Sequence, residues 1–210
     1  KLDINIVALV CNKADANVIK KAKDNKHRII IKENKGLKRD RYDLELVSDI
    51  LNLNTNIDLV VLAGWMRILT SYFINAFQNI INLHPALPGQ FPGANSIEDA
   101  FNQYQEGKIT QTGIMVHKVI EELDAGKVID YMEIPIFKED TLHLLKKRVQ
   151  SNEKPLLLNS IMKTLNLIDL GRNKLIDLDL VSSVKIISGK VRDRWDIGND
   201  LVCFFHSDRL

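Results

Sequence analysis

Cysteine is scarce in this chain. Only Cys11 and Cys203 are present among 210 residues. They lie far apart and offer no metal-ligand spacing, so two reduced thiols in a cytoplasmic protein are expected. No signal peptide and no apolar run of membrane length occurs, which argues against a membrane partner. Strong charge of either sign is missing too. The net charge is +2, with acids and bases mixed, and this speaks against nucleic acid as the main partner. No internal repeat or low-complexity tract is found. Position 1 is not methionine, and a piece of a longer protein is expected. What is present is ordinary globular composition: 45% apolar and 27% charged residues, at a length that buries a core without staples.

The chain opens on Ile4–Cys11, a β-branched apolar run of the kind buried on both faces of a parallel sheet. Asp15 is placed to cap a helix over Ala16–Asp24. His27–Lys32 reads as a strand. Arg39–Asn52 reads as an amphipathic helix with Leu44, Val47, Ile50 and Leu51 as its stripe. Ile57–Gly64 is a second buried-type strand, followed by a short helix, Ser71–Phe77. Ser96 is positioned to cap a helix over Ile97–Gln105, with Asp99 at the capping-box position. Thr112–Val119 and Lys127–Phe137 read as strands that pair. A long helix starts at Asp140 or Thr141 and contains Pro155, a residue that kinks or splits helices. The expected fold is therefore α/β, with a mostly parallel Rossmann-like sheet. From Gly171 the pattern changes. Residues 184–193 and 200–205 read as short antiparallel strands of a second domain, punctuated by Gly189 and Gly198.

One stretch stands out for chemistry. The apolar run Asn79-Ile80-Ile81 leads into Asn82-Leu83-His84-Pro85, and then three prolines and two glycines fall within residues 85–93. A shaped loop at a strand end is expected, where α/β proteins bind ligands. Asn82 and His84, two residues apart, leave a strand on the same side. Together they can donate hydrogen bonds to an oxygen that turns negative during a reaction. A turn with a satisfied histidine is the plainer reading of the same four residues.

Further motifs add to this. They are Cys11-Asn12-Lys13-Ala14-Asp15-Ala16, Tyr42-Asp43-x-Glu45-Leu46, Val60 to Leu69, Glu122-Leu123-Asp124-x-Gly126 and Arg148-Val149-Gln150-x-x-Glu153. In this order and spacing, residues 1–168 resemble phosphoribosylglycinamide formyltransferases. The resemblance implies a formyltransferase fold whose first strand and phosphate-holding loop fall before residue 1. The proline loop also departs locally, reading Ala86-Leu87-Pro88-Gly89 where that family commonly has Ser-Leu-Leu-Pro. Residues 169–183 would be a linker. Residues 184–210, through Ser188 to Asp193 and Ser207-Asp208-Arg209, resemble the start of a phosphoribosylaminoimidazole-succinocarboxamide synthase. A fusion of two purine enzymes is what this implies, with ATP serving only the second domain and Lys190 meeting its phosphate.

The resemblance also assigns roles. The substrates would be glycinamide ribonucleotide and 10-formyltetrahydrofolate, with no metal in the formyltransferase. Asn82, His84 and Asp124 would be catalytic, with His117 supporting. Arg39, Met66, Arg67, Ile68, Leu69, Val119, Ile120 and Glu121 would bind the folate. Pro85, Gln150 and Glu153 would bind the ribonucleotide. Arg39 also reads as part of a solvated basic run, and Gln150 and Glu153 as an exposed helix face. His27, His143 and His206 show no partners in the sequence. A homodimer, as in relatives, is left open. Two other readings stand beside transfer to the ribonucleotide. One is a sister enzyme with the same trio, a formyltetrahydrofolate hydrolase or a methionyl-tRNA formyltransferase. The other is an inactive folate-binding fragment or scaffold.

Overall fold

The computed structural model describes residues 4–167 and the strand at 200–206. In chain order the elements are β1 (Ile4–Cys11), α1 (Asn17–Asp24), β2 (Arg28–Ile31), α2 (Arg39–Leu51), β3 (Leu59–Ala63) and α3 (Ser71–Ala76). They continue with β4 (Ile80–His84), α4 (Ser96–Gln105), β5 (Gln111–Lys118), β6 (Val128–Pro135), α5 (Leu142–Thr164) and β7 (Asp200–His206). One sheet holds them in the order β2-β1-β7-β3-β4-β5-β6. The β1–β2, β3–β4 and β7 pairings are parallel, whereas β4–β5 and β5–β6 are antiparallel. The α/β class and mostly parallel sheet expected from the buried apolar runs are both present.

Alternation along β3 and β4 builds the two layers. Val61, Ala63, Ile81 and Leu83 join the core that also contains Ile97 of α4 and Leu145, Val149, Leu157 and Ile161 of α5. Val60, Leu62 and Ile80 belong to the opposite core, with Tyr42, Leu46 and Ile50 of α2 and Phe73 of α3. Since side chains alternate along a strand, burying Ile81 and Leu83 under α4 and α5 sends Asn82 and His84 to the α2–α3 face. Among the described residues no helix is long and apolar enough to cross a membrane.

Several local expectations are corrected. The cap of α1 is Ala16, with no side-chain cap bond, so Asp15 does not serve there. On α2 the buried positions are Tyr42, Asp43, Leu46, Val47 and Ile50, while Leu44 and Leu51 are exposed. The stripe is rotated because a carboxylate, Asp43, occupies a core-facing position that hydrophobicity alone assigns to solvent. Ser96 is the first buried residue of α4 rather than its cap, which is Asn95. Thr141 does cap α5, accepting from Leu144 N. Pro155 does not split α5, which runs unbroken from Leu142 to Thr164 with Pro155 on its exposed face.

The largest difference concerns β7. Antiparallel pairing was expected for residues 200–205, yet β7 lies parallel between β1 and β3. A short apolar run carries no signal of strand direction. Filling the slot between β1 and β3 satisfies the facing backbone groups of both. The expected strand at 184–193 and Lys190 lie outside the described residues.

Candidate active site

The site forms where β3 and β4 end. Gly64, at φ 82°, turns the chain out of β3 into residues 65–70. That segment is tied to α2 at two points. Thr70 N donates to the Asp43 carboxylate at 2.6 Å, inside the core. The Arg67 guanidinium lies 4.1 Å over the Tyr42 ring, a cation–π contact. Tyr42 is itself fixed, donating its hydroxyl hydrogen to the Lys32 carbonyl at 2.6 Å. Arg67 Nε is buried and has no hydrogen-bond partner among the described residues.

Strand pairing brings the second wall. β4 and β5 place Asn82 opposite His117. The turn after β5 carries Asp124 in the left-handed region, at φ 52°, which a short polar side chain tolerates. Asp124 then collects four partners. Its Oδ1 accepts from Asn82 Nδ2 at 3.2 Å and lies 3.5 Å from His117 Nε2. Its Oδ2 accepts from Gly93 N at 2.9 Å and lies 3.4 Å from His84 Nδ1. Burial pushes the Asp124 pKa up, but the hydrogen bonds from His117 and Gly93, with the charges of His84 and His117, outweigh it. The carboxyl ends below its ordinary value and is ionised at neutral pH.

Both imidazoles are almost fully buried and backed by backbone carbonyls. His84 Nε2 is 3.0 Å from the Phe91 oxygen, and His117 Nδ1 is 2.9 Å from the Lys118 oxygen. The Asn82 amide nitrogen is also 3.2 Å from His117 Nε2. Gly126 permits this packing: a Cβ there would overlap the Lys118 carbonyl.

These groups line one cavity of about 240 Å³. Its apolar side comprises Leu62, Trp65, Met66, Ile68, Leu69, Val119 and Ile120. Arg67, Asn82, His84, His117, Glu121 and Asp124 line it as well. The expected catalytic trio and seven of the eight expected folate residues thus share one space. Arg39, Pro85, Gln150 and Glu153 do not line it. Arg39 and Gln150 are exposed, and Pro85 is buried. Glu153 is buried on α5. Sequence reasoning missed the backbone groups of Phe91 and Gly93. It gave His117 only a supporting place, by resemblance, and not the contact with Asn82 and Asp124 that β4–β5 pairing creates. An ionised carboxylate beside two imidazoles and an amide can take a proton from a nucleophile and supply donors to a developing oxyanion.

Comparison with known proteins follows the same lines. The family described as Formyl transferase matches residues 1–161. A phosphoribosylglycinamide formyltransferase of Dictyostelium discoideum is 53% identical over 129 residues, covering 59% of this chain and 62% of that protein. A trifunctional purine biosynthetic protein adenosine-3 of Homo sapiens is 36% identical over 121 residues, covering 57% of this chain and 12% of that protein. Among solved structures, a phosphoribosylglycinamide formyltransferase from Bacillus halodurans superposes with a TM-score of 0.71 at 28% identity, covering 84% of this chain and 87% of that one. The chain therefore spans less than two thirds of the Dictyostelium relative's length. With the family match spanning residues 1–161 and the fold shared with the Bacillus halodurans structure, the chain belongs to the formyl transferase family.

Proposed function

We propose that this chain transfers the formyl group of 10-formyltetrahydrofolate to the primary amine of glycinamide ribonucleotide. The observation that carries the reading is the shared cavity. Asp124, Asn82, His84 and His117 converge at one end, and the largely apolar segment 65–69 forms a wall of the same space. The pterin would lie along Met66 to Leu69, with Val119, Ile120 and Glu121 opposite. Arg39 would meet the cofactor's carboxylate tail outside the cavity. Pro85, Gln150 and Glu153 would contact the ribonucleotide.

In the reaction the amine nitrogen bonds to the formyl carbon, and the carbonyl electrons move to oxygen. Asp124 takes a proton from the amine, directly or through water. The tetrahedral carbon then expels N10 of the folate, which receives a proton, and formylated ribonucleotide and tetrahydrofolate leave. Protonated His84 and Asn82 donate to the oxyanion. Asn82 Nδ2 already donates to Asp124 and lies 3.2 Å from His117 Nε2, so the Asp124 bond must exchange for the amide to serve the oxyanion. Proton uptake by Asp124 favours the exchange, because a neutral carboxyl is a weaker acceptor than a carboxylate. One oxyanion donor lowers such a barrier by about 3–4 kcal/mol.

The reading extends to the purine pathway and a cytoplasmic location. It includes a fusion to a second, ATP-using enzyme with Lys190 at the phosphate, while residues 200–206, expected in that second domain, form β7 of the sheet described above. The name of the trifunctional relative supports joining this domain to others. The test is release of tetrahydrofolate with and without glycinamide ribonucleotide. Release that requires the ribonucleotide and drops roughly 10²–10⁴-fold in Asp124→Asn is the expected result. Release without the amine would point to a hydrolase. Folate binding with no release would point to an inactive binding fragment.

A further inference from the structure

Phe91 stands in the left-handed backbone region, at φ 43°. Such a conformation is strained for a bulky residue. It turns the Phe91 carbonyl back toward β4, where the oxygen lies 3.0 Å from His84 Nε2. A carbonyl oxygen only accepts, so Nε2 must carry the hydrogen. The loop arrives there through a turn closed by Gln90 N donating to the Leu87 oxygen at 3.0 Å, with Gly89 at φ 76°. Two residues beyond Phe91, Gly93 N donates to Asp124. One loop thus grips both His84 and Asp124 through its backbone.

The opposite nitrogen is held differently. His84 Nδ1 faces Asp124 Oδ2 at 3.4 Å, beyond the usual length of a strong hydrogen bond. His117 is arranged in the reverse sense, with Nδ1 donating to the Lys118 oxygen and Nε2 facing Asn82 and Asp124. The two imidazoles therefore turn opposite nitrogens toward one carboxylate.

We propose that Phe91 is a positioning residue for the formyl transfer proposed above, a reading on which this inference rests. Its carbonyl, aimed by a left-handed torsion, fixes a hydrogen on His84 Nε2 and leaves Nδ1 as the nitrogen that gains and loses a proton opposite Asp124. Neutral His84 then carries its lone pair at Nδ1. Protonation adds the hydrogen that donates to Asp124 or to the substrate oxygen, with no rotation of the ring. The backbone of Phe91, rather than its aromatic ring, is what the site uses.

The test is nitrogen-15 spectroscopy of the histidine-labelled full chain, with His84 signals assigned by their loss in His84→Gln. The pH is raised until the rings are neutral. The expected result is hydrogen retained at Nε2 of His84 and at Nδ1 of His117. Phe91→Val disfavours a positive φ and should give mixed His84 tautomers. Its kcat should fall roughly 10- to 100-fold, within the range of a misplaced acid–base group, at nearly unchanged KM for both substrates. Phe91→Gly keeps the carbonyl and accepts the torsion, and should restore the Nε2 hydrogen and most of the lost kcat. A simple loss of loop packing would move KM without changing the tautomer. Hydrogen found on His84 Nδ1 in the unaltered chain would overturn the proposal. So would a folded Phe91→Val protein with the Nε2 hydrogen and kcat intact. The spectra need no turnover, so an inactive chain that shows the Nε2 hydrogen would count against the proposed reaction and leave the tautomer assignment standing.

Discussion

Replacing Gly126 by alanine adds one methyl group directly beneath the candidate site. A Cβ there would overlap the Lys118 carbonyl oxygen, and would lie 2.8 Å from its carbon and 3.5 Å from His117 Nδ1. That same carbonyl accepts from His117 Nδ1 at 2.9 Å. Lys118 N is meanwhile bonded to the Lys127 oxygen at 2.9 Å, and His117 pairs with Val128 across β5–β6. Backbone held on both sides cannot yield by a rotamer change, so the segment carrying Asp124 must shift. Overpacking of this kind costs about 1–3 kcal/mol, and loss of the buried His117 bond adds about 1 kcal/mol. A destabilisation of about 2–4 kcal/mol follows from the two together. A displacement of Asp124 by about 1 Å should lower kcat by roughly a hundredfold. Urea unfolding followed by circular dichroism gives the first number, and initial rates of formyl transfer give the second. Stability within about 0.5 kcal/mol of the unaltered chain, with unchanged kcat, would refute the packing argument.

Asn82→Ala should reduce kcat by roughly 10²–10³-fold while folate KM stays nearly constant, as steady-state kinetics would show. Tyr42 is pushed up to about 12, chiefly by burial. Its folded value lies above the unfolded value near 10, so its contribution is full below about pH 10 and lost as pH climbs toward 12. Melting curves across that window should steepen for the unaltered chain and flatten for Tyr42→Phe; identical slopes would refute the assignment. Asp140 accepts both arms of Arg148 at 2.6 Å, and this pairing holds its pKa below the ordinary 3.8. That contribution is present above the ordinary value and lost as pH falls below it. Asp140→Asn should therefore lower the neutral-pH melting temperature and flatten the acid limb.

The fold was legible where hydrophobic pattern and chain direction agree. The β-branched runs of β1 and β3 announced buried parallel strands. The two-residue spacing of Asn82 and His84 announced a shared face, because Ile81 and Leu83, which alternate with them, could only face the core. The stripe of α2 was misjudged because Asp43 is buried for its bond to Thr70 N, a partner 27 residues away that no local pattern reveals. β7 was legible as a strand but not as a parallel one, since direction is decided by which slot in the sheet is open. The side chains of the site were found from motifs. Its backbone donors and acceptors, Gly93 N and the oxygens of Phe91 and Lys118, were not, because every residue has them and only the tertiary path aims them. Gly113 was hidden for a similar reason: a Cβ there would fall 2.8 Å from Leu87 Cγ, so the glycine seats the proline loop against β5.

The most direct measurement is the fate of a carbon-13 formyl label. The chain would be given labelled 10-formyltetrahydrofolate and glycinamide ribonucleotide for a single turnover, with products resolved by mass spectrometry beside the Asp124→Asn variant. Label appearing on the ribonucleotide amine in the unaltered chain, and strongly delayed in the variant, is the predicted result. Label released as formate, or transferred equally by both proteins, would contradict the assignment of this cavity to formyl transfer.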